Sequence, residues 1–192
     1  MHTERTRLAA AVDAALIAGG GQSESMALDG RYEVECFDAD GNLKWRDVVE
    51  NLVVNAGGDL VLDTFLGGAS YTAVGPFMFL VGATPSVAAG DTMSSHAGWT
   101  EVGGANAPTY SGNRGTPSWS AASAKSKSTS SAVSFSLTDS GTVGGCGLVL
   151  GTGAVNTKDS TAGTLYSVGA FSGGNRTVAN GDTLNVSYTG SA

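Results

Sequence analysis

The chain is short of charge. Only 14% of its 192 residues are Asp, Glu, Lys or Arg, where about a quarter is usual. Basic residues are the scarcer kind: 10 Lys and Arg stand against 17 Asp and Glu, for a net charge of −7 and an isoelectric point near 4.6. A nucleic-acid binder needs a basic face to displace counterions. Here the one tight basic pair, Lys125 and Lys127, sits in a Ser-rich stretch that reads as a solvated loop. No nucleic-acid partner is expected.

Metal ligands and nucleophiles are equally sparse. The two cysteines, Cys36 and Cys146, fit no zinc or redox spacing and read as reduced core thiols. A disulfide would require their strands to be neighbours. Of the two histidines, His2 stands beside the initiator and His96 has no second ligand near it. Neither metal nor cofactor is therefore expected. There is no G-x-S-x-G elbow and no G-x-x-x-x-G-K loop. Asp38 and Asp40 flank a turn without the further ligands a calcium loop needs. Asp59 and Asp63, four apart, share one solvated helical face. A hydrolase built on His96 and one of the many serines is the weakest reading, and no catalytic residue is assigned.

Long apolar runs are missing too. Nothing approaches the ~20 residues of a membrane span. Residues 8–18 are apolar and follow Arg5 and Arg7, but Glu4 and Asp13 break the pattern of a signal peptide. The expectation is a protein made in the cytoplasm, with no membrane partner.

What is abundant is glycine, at 29 residues, with Ser and Thr. Small uncharged residues and frequent turns suit short strands. Arg31–Asp38 alternates, with Tyr32, Val34 and Cys36 on one face. Ala39-Asp40-Gly41-Asn42 is the hairpin turn, with Asp-Gly suited to positive φ, and residues 43–49 return. Pro76–Gly82 (PFMFLVG) is a continuous apolar run, the pattern of a fully buried strand. Further strands are expected over 99–102, 132–138, 145–150, 165–171 and 183–188. Val133, Phe135 and Leu137 should face inward. Gly144, Gly145 and Gly147 precede a strand rather than a helix and point to close strand packing.

Two helices are expected. Residues 3–18 carry Leu8, Val12, Ala15 and Leu16 on one stripe, and Gly19-Gly20-Gly21 stop them. Residues 55–66 form the second, with Asn55 as cap and Leu60, Leu62, Phe65 and Leu66 as apolar side. A short helical turn is expected near 91–95. The fold class is mainly β: an antiparallel β-sandwich or jelly roll over 31–192, preceded by a helical arm and Gly-rich linker over 1–30. Trp99, Tyr110, Arg114 and Trp119 are of the types that dominate protein interfaces. With Leu8, Val12 and Leu16 of the arm they are the candidate partner-binding residues.

The order of these segments is familiar. Glu50–Gly67 (ENLVVNAGGDLVLDTFLG) follows the hairpin. Asp91–Val102 (DTMSSHAGWTEV) comes next. Tyr110, Ser111, Arg114 and Trp119 follow, with Arg114 one residue earlier than the family spacing. Gly163–Tyr188 (GTLYSVGAFSGGNRTVANGDTLNVSY) closes the pattern. Over residues 31–189 the chain resembles a family of small virion proteins of tailed bacteriophages, from the head- or tail-structure region. The resemblance implies a non-enzymatic virion component on the capsid surface. It would be a decoration or cement protein, a homo-oligomer (dimer or trimer) bound to the major capsid protein, with its arm on a neighbour. The alternative is a tail, fibre or receptor-binding component.

Overall fold

The computed structural model describes residues 27–72 and 74–192. The helix expected over 3–18, with Leu8, Val12 and Leu16, lies outside the described residues. The rest is two antiparallel sheets packed face to face, with one helix: a β-sandwich.

The first sheet is built on β1 (Asp29–Phe37), whose alternation of apolar and polar residues buries one face only. β1 pairs with β2 (Leu43–Glu50) on one side and with the final strand β11 (Thr183–Ser191) on the other. β6 (Ser126–Ser128) and β7 (Val133–Ser136) share the far edge of β11. Tyr32 stands opposite Tyr188, Val34 opposite Val186 and Cys36 opposite Leu184. All six are buried beneath the sheet. Asp38 closes the β1–β2 turn: its carboxylate accepts the backbone N–H of Asp40 and Asn42, at 3.0 and 2.8 Å. Gly41 supplies the positive φ.

The second sheet runs β3 (Leu52–Val53), β9 (Thr164–Ala170), β8 (Gly141–Leu150), β4 (Phe77–Gly82), β5 (Glu101–Val102). β10 (Arg176–Val178) continues β9's edge of β8. This sheet is covered on both faces. Met78, Leu80, Cys146 and Leu148 meet the first sheet. Phe79, Val81, Val149, Leu165 and Val168 face the other way, under helix α1 (Asn55–Phe65) and the loops 83–100 and 151–163. That is why Pro76–Gly82 reads as an unbroken apolar run: a strand buried on both faces has no polar phase.

The close packing expected around Gly144, Gly145 and Gly147 is present. A Cβ at Gly147 would enter the ring of Phe79, its cross-strand partner, and one at Gly145 would collide with the carbonyl of Gly169.

Three local expectations are corrected. Residues 91–95 form a two-residue turn closed by Thr92 and Ser95, not a helical turn. Asn55 is the first helical residue rather than the cap. Val54 occupies the cap position with no side-chain bond, and the Asn55 N–H is satisfied by Ala89 O at 2.8 Å. The apolar side of α1 is also not the one expected. The helix lies on β9 through Gly57, whose missing Cβ makes room for the Tyr166 carbonyl. Leu60, Val61 and Thr64 follow on that stripe. Phe65 sits at the margin of that stripe and Leu62 and Leu66 are rotated away from it, and all three stay exposed.

Candidate partner-binding surface

Three of the interface candidates are interior. Trp99, Tyr110 and Arg114 are 5%, 2% and 2% exposed, so a partner cannot reach them on this surface. Tyr110 belongs to the core between the sheets, edge-on to Phe135 with ring centroids 5.0 Å apart, whereas Trp99 and Arg114 belong to a packed column on the outer face of the second sheet. His96 stacks on Trp99 with ring centroids 3.7 Å apart, Trp99 stacks on Phe79 at 5.6 Å, and the Arg114 guanidinium lies 5.6 Å from the centre of the Phe79 ring. Trp99 donates its indole N–H to Asp91 at 2.9 Å, and the same carboxylate oxygen accepts the N–H of Ala88. Arg114 forms a two-pronged pair with Glu101, Nε to Oε1 at 2.9 Å and an Nη to Oε2 at 2.6 Å. It also donates to the carbonyls of Val155 and Ser160.

Asp91, Trp99, Glu101 and Arg114 are thus the residues by which the DTMSSHAGWTEV stretch and the following loop fold onto the sheet. The motif encodes packing. His96, with its Nδ1 3.1 Å from the Trp99 carbonyl oxygen, is occupied by the same column. Tyr110 lies under the ammonium of Lys158, 4.1 Å from its ring centre. That ammonium donates to the carbonyls of Gly103 and Tyr110. Burial pushes the Lys158 pKa down and the Tyr110 pKa up.

The cysteines are both buried and unpaired. Burial, with the Asp182 carboxylate beside it, pushes Cys36 up to about 12, and burial pushes Cys146 up as well. Thiols held protonated in this way are poor nucleophiles. Among the described residues no group of three or more His, Cys, Asp or Glu side chains could hold a metal ion. No helix among them is long and apolar enough to cross a membrane.

Among the candidates in the described residues, Trp119 is the one at the surface. It is half-buried, edge-on to Tyr188 with ring centroids 6.1 Å apart. It stands in an open groove of about 480 Å³ where the ends of the two sheets part. Leu28, Ala122, Leu148, Leu150 and Tyr166 line the groove with it, and Lys125 and Lys127 edge it. Burial raises the phenol pKa of Tyr166. Tyr71, Leu150 and Tyr166 also line a smaller hollow of about 210 Å³ beneath α1, which Leu60, Val61, Thr64 and Phe65 close. The two hollows therefore share a wall. Beside them α1 presents Phe65 at 80% and Leu66 at 81% exposure, with Leu62 at 43%.

Sequence reasoning missed this apolar strip because it took Leu62, Phe65 and Leu66, with Leu60, as a single apolar side of the helix. The available signal was the Gly57-Gly58 pair, which marks the face where a helix can approach another backbone most closely. No family model, curated protein or solved structure matches this chain.

Proposed function

We propose that the chain is a non-enzymatic virion structural protein. In this reading it is a capsid decoration (cement) protein that binds the shell of a major capsid protein and stabilises it. The observation that carries the reading is the exposed strip Leu62, Phe65 and Leu66, set on an acidic, polar, Gly-rich sandwich. Large apolar side chains exposed side by side mark a protein-binding surface. The interior roles of Arg114 and both cysteines, and the packing of half-buried His96 on Trp99, support a binding rather than a chemical task, and the resemblance of residues 31–189 to phage virion proteins supplies the partner. A ligand that binds only the assembled shell stabilises it by mass action.

Purified protein mixed with undecorated phage shells should sediment with them, saturably and at a fixed ratio. The double substitution Phe65→Ser/Leu66→Ser, at positions that contribute little to folding, should abolish co-sedimentation and leave the melting temperature unchanged. Absence of binding by the unsubstituted chain would overturn the decoration reading in favour of the tail, fibre or receptor-binding one.

A further inference from the structure

We infer that the groove around Trp119 is the seat of the chain's own N-terminal segment, residues 3–18. Three observations converge on this occupant. The groove is apolar where a ligand would lie: Leu28, Ala122, Leu148, Leu150 and Tyr166 surround Trp119. It is open, and no described element of the chain fills it. Most directly, Leu28, the second described residue, is itself part of its wall. The preceding segment therefore leaves from the edge of the groove.

What precedes Leu28 fits. Leu8, Val12, Ala15 and Leu16 recur at i, i+4, i+7 and i+8, one apolar stripe on a helix. A 16-residue helix is about 24 Å long. Residues 19–27 join it to the groove's edge, include Gly19-Gly20-Gly21, and can span about 30 Å when extended. The stripe can therefore turn back onto the groove it leaves. A short linker holds a tethered segment at a millimolar effective concentration, so modest apolar complementarity suffices to keep it seated. A helix laid by its i, i+4 and i+8 side chains into an apolar groove is a familiar mode of recognition.

The test uses the full chain with one thiol on each side: Val12→Cys in the segment and Ala122→Cys, at an exposed position, in the groove. Cys36 and Cys146 are buried and do not compete. Under mild oxidation the double variant should form an intramolecular disulfide, seen as a faster-running monomer on a non-reducing gel. Adding Leu8→Asp and Leu16→Asp should slow its formation by about tenfold or more, because the stripe no longer holds the segment near the groove. A Ser23→Cys/Ala122→Cys pair bearing the same Asp substitutions reports linker collisions alone. Cross-linking that is absent, or that the Asp substitutions leave unchanged, would overturn the inference. So would cross-links found only between two chains, which would make the groove a site of arm exchange between copies.

Discussion

Arg114 shows how a residue typical of interfaces can serve the interior instead. Its guanidinium is wholly buried, its charge is met by Glu101, and its remaining donors reach two loop carbonyls. Removing one member of such a pair strands the other charge in a dry site, which costs about 3–5 kcal/mol. Arg114→Ala should therefore unfold at markedly lower denaturant concentration than the unsubstituted chain. Arg114→Lys should recover only part of the loss, since an ammonium cannot match the two-pronged geometry. Denaturant melts of the two variants check this, and near-native stability of Arg114→Ala would assign the pair no structural role. Sequence alone could not place this residue. Arg, Trp and Tyr are enriched at interfaces, and what decides burial here is a contact between Glu101 of β5 and Arg114 of the following loop, which no periodicity records. By contrast, the inward set Tyr32, Val34, Cys36, Val133, Phe135 and Leu137 was legible, because a strand with one wet face writes its orientation into alternation.

At the scale of the element, α1 depends on two adjacent glycines with opposite roles. A Cβ at Gly57 would strike the Tyr166 carbonyl, whereas one at Gly58 meets nothing within 4 Å. Gly→Ala inside a helix ordinarily stabilises by up to about 1 kcal/mol. Gly58→Ala should do so. Gly57→Ala should instead destabilise by about 1–3 kcal/mol, the usual range for overpacking, because the helix must lift off β9. Thermal melts of the pair measure the sign directly, and two variants of like sign would contradict the close contact. The bounds of α1 were readable from Gly67-Gly68 at its end. Its rotation was not, because Leu60, Leu62, Phe65 and Leu66 offer two overlapping stripes and only the glycine contact chooses between them. The strands β6 and β10 were also missed: each is three residues long, polar at most positions, and held at the edge of a longer neighbour.

For the molecule as a whole, one charged clip ties the two sheets together. Asp47 on β2 is buried in the first sheet. Its carboxylate takes the Arg176 Nε from β10 of the second sheet at 2.6 Å, the Ser172 hydroxyl at 2.9 Å and the backbone N–H of Val48 and Gly173. Burial alone would raise its pKa. Arg176 and the surrounding donors outweigh burial and hold the pKa below the usual carboxylate value. A carboxylate whose pKa is lower in the folded chain than in the unfolded one adds stability that is complete above the unfolded value, about 3.9. That stability is lost as the pH falls through the folded value. Asp47→Asn should therefore be less stable than the unsubstituted chain by about 2 kcal/mol at neutral pH, and the gap should close as the pH drops from about 5 towards 2. Melting temperatures of both chains across that range test it; a gap independent of pH would mean that the clip works through shape rather than charge.

The strand β8 carries a consequence for how such a sequence can drift. Gly144, Gly145 and Gly147 look like the plainest positions in the chain, the ones a reader would pass over as filler. Each holds open a space already taken by the Gly82 carbonyl, the Gly169 carbonyl or the Phe79 ring. Substitution is thus least tolerated where side-chain information is lowest, while the exposed Ser and Thr positions are free to vary. Descendants of one ancestor could then share little recognisable text yet keep the same spaced glycines, and the kinship would survive as a pattern of absences.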